Sequence, residues 1–280
     1  GSKGCVEYAR SGNQTFVASS FSGAANFLNY KNISLSGSGN KTTLDNQTTS
    51  LLSDGTLSIS GGNLVLGSSA TFTVSTTNTT LSYNGAVSQT ITTTEWSTNF
   101  QNVEINNASG VSLGFNRSIQ GELRLYNGVL SHGGNLNINS GATIIRKSGS
   151  MATAPGFGSL INLSYQQSTS IITMGHEVPD SSHGIKNLIV NNSYGVVLSK
   201  TTHVFNKLDL QTGVLTSGST NMPVLSDSAI ITGGSASTFI SGPIKKYGNT
   251  AITFPIGKSG RYAQCGITNV SGSSNYYFIL

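Results

Sequence analysis

Charge is scarce in this chain. Its 280 residues carry 15 Lys and Arg against 10 Asp and Glu, 9% in all. Acid–base chemistry on a sugar chain needs clustered carboxylates, or carboxylates beside an Arg or Lys base. Here the ten acids are spread out, and the nearest pair, Glu177 and Asp180, stands three positions apart. A non-enzymatic role is therefore expected, with no catalytic residue and no cofactor assigned. The basic residues are equally scattered, with only Arg146-Lys147 and Lys245-Lys246 adjacent. A nucleic-acid partner would need a clustered basic stripe with stacking aromatics, so none is expected. Long apolar runs are missing too. Val196-Val197-Leu198 is typical, far short of the ~20 residues of a bilayer-crossing helix, and no membrane insertion is expected. No signal peptide is expected at the start. Gly1-Ser2 matches a cleavage scar, so the chain reads as a mature or excised fragment.

Good helix formers are also few, because Gly, Ser, Thr and Asn together fill 136 of the 280 positions. These residues lose helix propensity to backbone entropy or to side-chain competition for backbone groups. Disorder does not fit, since Val, Ile, Leu, Phe and Tyr recur at regular intervals and the net charge is only +5. The chain is expected to be all-β.

Internal repetition specifies which kind. Phe100-Gln-Asn-Val-Glu-Ile-Asn-Asn-Ala-Ser-Gly-Val-Ser-Leu matches Ile185-Lys-Asn-Leu-Ile-Val-Asn-Asn-Ser-Tyr-Gly-Val-Val-Leu. The register holds without a gap through Leu123/Leu208, Leu125/Leu210 and the Gly-Val-Leu steps at Gly128 and Gly213. A third copy lies upstream, from Tyr30-Lys-Asn-Ile-Ser-Leu to Gly62-Asn-Leu-Val-Leu, whose counterpart is Gly134-Asn-Leu-Asn-Ile. Tyr8, Tyr83 and Tyr165 each open the strand that precedes a copy. Three imperfect repeats are expected, about 4–79, 80–162 and 163–239, followed by a different segment over 240–280.

Within each repeat the apolar residues come as i, i+2 pairs, such as Leu57/Ile59, Val103/Ile105, Leu123/Leu125 and Leu136/Ile138. Such alternation over three to five residues means short half-buried strands, and the gaps hold turn formers. Short strands and tight turns, with roughly 20–25 residues per coil, predict a right-handed β-solenoid (β-helix) whose coils stack on one another. Leu123, Leu125, Leu208 and Leu210 are expected to point into the core. Asn106-Asn107 and Asn191-Asn192 hold one place in two repeats, where their amides would bond the neighbouring coil. The competing architecture is a row of tandem immunoglobulin-like sandwiches, disfavoured by one Trp, no Cys pair per repeat and very short strands.

The local constellations are few. His176-Glu177-Val-Pro-Asp180-Ser-Ser-His183 gathers two imidazoles and two carboxylates, but Pro179 forbids the helix that a zincin motif needs. It reads as a polar loop closing a coil, and no metal site is assigned. Cys5 and Cys265 would lie tens of Å apart in a stack rising ~4.8 Å per coil, too far for a disulfide. Cys265, alternating with Ala263 and Ile267, is expected to be a small buried hydrophobe. The sequons at Asn13, Asn32 and Asn269 follow from composition.

With the repeats laid out, the run from Tyr30 to Thr42, the Gly-Val-Leu steps, Phe239-Ile-Ser-Gly-Pro-Ile and Phe254-Pro-Ile-Gly-Lys-Ser-Gly-Arg-Tyr262 resemble large secreted surface proteins of Bacteroidetes. These are the gliding adhesins and other cargo of the type IX secretion system. Where relatives commonly have Pro-Val after the Tyr, this sequence has Gln264-Cys265. The resemblance implies an extracellular or cell-surface location, export by the type IX machinery, and a surface polysaccharide or external substratum as partner. It also implies O-glycosylation at Asp-Ser/Thr-apolar sites, which Asp227-Ser228-Ala229 fits at Ser228. The expected function is a structural or adhesive segment, a stiff stalk presenting a binding surface. Two alternatives stay open. A carbohydrate-binding module would use exposed aromatics, for which Tyr83, Tyr126 and Tyr165 are candidates. A polysaccharide lyase or hydrolase would need Asp, Glu, Arg and Lys converging across coils. Residues 240–280 are expected to cap the stack or to begin a further β module, using Phe254, Tyr262, Tyr276, Tyr277 and Phe278 as apolar cover, Pro243 and Pro255 as ladder breakers, and Lys245, Lys246, Lys258 and Arg261 as repulsive charge.

Overall fold

The computed structural model describes residues 5–16, 27–96, 100–180, 182–268, 271 and 276–279, with the backbone alone for 27, 28 and 276–279. Among the described residues there are strands and turns and no helix, as the dearth of helix formers requires. The chain divides into two compact units, Gly1–Leu136 and Asn137–Leu280.

In the first unit, strands Cys5–Tyr8, Phe27–Leu35, Thr48–Ile59, Thr80–Tyr83, Asn102–Asn106 and Glu122–Asn127 stack side by side, and every pairing is parallel. The register aligns like residues in columns. Ile33, Leu57, Leu81, Val103 and Leu123 form one, and Leu35, Ile59, Tyr83, Ile105 and Leu125 form the next. All ten are at most 2% exposed, so these columns are the core. Successive members of the first column stand 24, 24, 22 and 20 positions apart, one coil each. Shorter ladders close the other faces, with Gln14–Thr15, Asn40–Thr42 and Asn63–Val65 in one and Gln89–Ile91, Val111–Leu113 and Val129–Ser131 in another.

The second unit repeats the arrangement. Ile144, Leu163, Leu188, Leu208 and Ile231 form one column, and Tyr165, Val190 and Leu210 form its neighbour, with Arg146 beside Tyr165 at the start. A second parallel ladder joins Ile172–Thr173, Val196–Val197, Leu215–Thr216 and Ile240–Ser241. Each unit is thus an all-β solenoid of stacked parallel coils. Stacked parallel coils exclude the tandem sandwiches, which are built from antiparallel sheets. Leu123, Leu125, Leu208 and Leu210 are buried as the alternation predicts.

Each Gly-Val-Leu step has a steric cause. Gly128 and Gly213 adopt φ of +76° and +86°, and a Cβ on either would lie 1.8 Å from a backbone carbonyl oxygen of the preceding coil, that of Asn107 or Asn192. Only glycine combines the left-handed backbone with that approach.

Pairing changes character near the end of the second unit. Ile240–Ser241 still stacks in parallel on Leu215–Thr216, and Ile256 pairs in parallel with Ile240. Ile252–Lys258 then turns back through Ser259-Gly260, both at positive φ, into the antiparallel strand Arg261–Ile267. The backbone of Tyr276–Ile279 pairs antiparallel with Ile244–Tyr247. The side chains of Tyr276, Tyr277 and Phe278 lie outside the described residues. Phe254 is buried, as expected of apolar cover. Lys246, expected as repulsive surface charge, is instead fully buried.

Candidate functional site

The outward side chains of the coils are mostly hydroxyls and amides, and the parallel register places each beside its like on the next coil. Thr48 bonds Thr71 at 2.9 Å, Ser50 bonds Thr73 at 2.8 Å, Ser53 bonds Ser75 at 3.0 Å and Thr90 bonds Ser112 at 3.0 Å. In the second unit Asn206 Nδ2 donates to Asn187 Oδ1 at 2.6 Å and Asn187 Nδ2 to Asn162 Oδ1 at 2.8 Å, a three-coil amide ladder. In the first unit Asn102 Nδ2 donates to Asn78 Oδ1 at 3.0 Å. Asn102 and Asn187 are the matching members of the repeat. The amides at Asn107 and Asn192 are wholly buried and do bond the neighbouring coil, through its backbone carbonyls and not through a matching asparagine. Asn107 Nδ2 donates to Val87 O at 2.7 Å and Asn192 Nδ2 to Ser170 O at 3.0 Å, so each ties its coil to the previous turn.

Two buried carboxylates lie inside the coils. Tyr83 ends the strand Thr80–Tyr83 and Tyr165 lies one residue from the end of Leu160–Gln166, so neither opens its strand as the repeat suggested; each hydroxyl donates to a glutamate twelve residues on, Glu95 at 2.7 Å and Glu177 at 2.8 Å. Glu95 also accepts from the backbone N–H groups of Thr92 and Leu64, so no cation is needed to hold it. Glu177 is served differently. Its Oε1 accepts from the Tyr165 hydroxyl, the Gly175 N–H and the Arg146 guanidinium at 2.5 Å, while its Oε2 is buried without a partner among the described residues. Burial, reinforced by the neighbouring carboxylate, raises both phenols well above the ordinary 10.0.

These bonds change the reading of the His176–His183 loop. Glu177 faces the core, whereas His176 is exposed and His183 Nδ1 lies 3.0 Å from Asp180 Oδ1 at the surface. Ser182 and His183 hold the Asp180 carboxyl below its usual range. The four side chains do not converge, and among the described residues no group of three or more His, Cys, Asp or Glu has the geometry for a metal ion. Tyr83 and Tyr165, candidates for sugar stacking, are wholly buried, and Tyr126 is half-buried. Both cysteines are free; Cys265 is half-exposed on a strand with few buried neighbours, so it is not the small core residue its alternation suggests.

Lys41 and Lys246 are further core cations that the sequence does not mark. Lys41 Nζ donates to the backbone carbonyls of Arg10, Gly12 and Ser38. Lys246 Nζ donates to those of Ser226, Asp227 and Tyr247 and pairs with the Asp227 carboxylate at 3.5 Å. Burial lowers the pKa of both amines. Next to this second cage, Ser228 is exposed on a turn, open to a modifying enzyme.

No family model matches the chain, and no curated protein or solved structure is detectably similar to it.

One concavity in the second unit combines room with uncompensated charge. A cleft of about 590 Å³ lies between Thr216, Ser241 and Pro243 and the hairpin of Ile252–Lys258 and Arg261–Ile267. Ile256 stands opposite Ala263 and Lys258 opposite Arg261. Antiparallel partners share a face, and so do residues two apart on one strand. An apolar pair and a cationic pair therefore adjoin each other on one side of the hairpin, and all four line the cleft.

Proposed function

We propose that this chain is a structural or adhesive segment of an exported bacterial cell-surface protein, a stiff solenoid stalk that presents a binding surface. The outward ladders carry the reading. Each coil is joined to the next by backbone pairing and again by hydroxyl and amide bonds such as Thr48–Thr71 and Asn187–Asn162. Buried columns fill the interior, and a sparsely charged exterior rich in Ser, Thr and Asn keeps the surface hydrated. Nearest-neighbour stacking of this kind makes an extended element whose length grows by adding coils. The Bacteroidetes-like segments, Tyr30 to Thr42 and Phe254 to Tyr262, support export by type IX machinery and an extracellular location, and the exposed Asp227-Ser228-Ala229 turn supports O-glycosylation of Ser228.

The test is surface display. Fused to a type IX sorting domain in a Bacteroidetes host, the chain should be reached by externally added protease in intact cells and should confer attachment to a polysaccharide-coated surface. Intact-mass analysis of the displayed chain reads the state of Ser228. Retention inside the cell would end the reading. Incubation with acidic polysaccharides should release no unsaturated sugar ends; their release would move the assignment to a lyase.

A further inference from the structure

We propose that the cleft beside the Ile252–Lys258 hairpin binds a carboxylated sugar within an acidic polysaccharide. The inference rests on the adhesive reading for the source of the ligand, and on the cleft itself for its chemistry.

The first observation is charge. From Ser228 to Leu280 the sequence contains Lys245, Lys246, Lys258 and Arg261 and no Asp or Glu. Lys246 is consumed inside its carbonyl cage, and the adjoining Asp227 carboxylate is engaged by the Thr250 N–H and Lys246. Lys245 lies over the Tyr247 ring at 4.6 Å and does not line the cleft. Lys258 and Arg261 remain, both exposed, and neither has an ion pair or side-chain hydrogen bond among the described residues. Two cations on neighbouring strands, with no carboxylate among the described residues that line the cleft, concentrate positive potential at the cleft mouth.

The second observation is the shape and lining. At about 590 Å³ the cleft falls within the ~300–1,000 Å³ of small-molecule sites. Its surface is mainly apolar, with Pro243, Ile256 and Ala263 contributing hydrocarbon, while Thr216 and Ser241 bring hydroxyls that make no hydrogen bond among the described residues. A pyranose uronate is complementary to each part. Its C–H face covers the hydrocarbon, its hydroxyls meet Thr216 and Ser241, and its carboxylate meets the guanidinium fork of Arg261 with Lys258 beside it. A simple anion would leave the apolar surface uncovered, and a neutral sugar would leave the cations unanswered.

The experiment titrates the full chain with oligogalacturonate, following backbone amide resonances. Shifts should concentrate at Thr216, Ser241 and Ala263. The fully methyl-esterified oligosaccharide, which keeps the ring and loses the charge, should bind about tenfold more weakly or worse, and so should oligogalacturonate to the Lys258→Gln/Arg261→Gln variant. Lys245→Gln should bind as the parent does. Both variants alter exposed or half-exposed side chains, and an unchanged amide spectrum elsewhere will show that the fold is kept. Equal binding of the esterified ligand, an unaffected double variant, or no binding of oligogalacturonate overturns the proposal. Saturation of the same resonances at equal concentration by inorganic phosphate or by phosphatidylserine vesicles overturns it as well, reassigning the cleft to anions or membranes. Surface display is read separately, so the stalk can stand if this site falls.

Discussion

The Tyr165 hydroxyl donates to the buried Glu177 carboxylate at 2.8 Å, and the same bond recurs between Tyr83 and Glu95 at 2.7 Å. A phenol that donates to a carboxylate inside the coil must keep its proton. Both phenols have raised pKa values, from burial first and the carboxylate second. In the unfolded chain they lose their protons near the ordinary 10.0 while the folded form still holds them. The folded state then binds more protons, so stability is intact below pH 10 and falls as pH rises above it. Chemical denaturation from pH 8 to 12 should show this decline, shallower in Tyr165→Phe. A flat profile would contradict the buried bonds.

Arg146 gives the second prediction. Its guanidinium, 13% exposed, pairs with a Glu177 side chain that is 0% exposed. Arg146→Met leaves a buried carboxylate without its cation and should cost ~3–5 kcal/mol. Adding Glu177→Gln in the same chain should recover much of that loss, because the stranded charge goes too. Urea midpoints of the single and double variants measure the coupling; additive losses would mean the pair is not the unit described.

Glycine substitutions isolate the coil-to-coil approach. Gly213 and Gly141 share nearly the same backbone, with φ of +86° and +84°. A Cβ on Gly213 meets the Asn192 carbonyl at 1.8 Å, whereas a Cβ on Gly141 meets nothing within 4 Å. Gly141→Ala should cost ~1–2 kcal/mol, the price of the left-handed region alone. Gly213→Ala should cost clearly more, since the carbonyl must move. Equal midpoints in thermal melts would refute the close approach.

Leu125, 0% exposed at the end of the Leu35–Ile59–Tyr83–Ile105 column, tests the register. Leu125→Ala should lose ~2–5 kcal/mol. A loss below about half a kcal/mol in chemical denaturation is the range of surface changes and would mean a different register.

The columns were legible in the sequence because alternation has a period of two, and a one-residue slip would turn every Leu and Ile outward. The match between Phe100–Leu113 and Ile185–Leu198, at an offset of 85 residues, carried over directly, with Val103 on Leu123 in one unit and Leu188 on Leu208 in the other. Glu95, Glu177, Lys41 and Lys246 were not legible. Charged residues are usually solvated, and what holds these four inside is a set of hydroxyl, N–H and carbonyl partners, some a few residues away and some on neighbouring coils. A signal did exist for the glutamates: Tyr83–Glu95 and Tyr165–Glu177 share a spacing of twelve, which only the repeat alignment makes visible. Cys265 failed for the opposite reason. Its alternation with Ala263 and Ile267 is real, but Arg261–Ile267 pairs with a single strand and covers little. The cleft joins residues from three segments, and no local motif announces it.

Coil length varies while the core columns stay aligned. Between Ile33 and Leu123 the step shortens from 24 residues to 20, and between Leu163 and Leu188 it is 25, yet like still stacks on like. The extra residues are taken up in turns and in strand bulges such as the one at Lys186, and they add nothing to the ~4.8 Å spacing between paired strands. Within either unit, reach is therefore counted in coils and not in amino acids. Short insertions in the turns can diversify what the surface displays while the distance it is held at stays fixed.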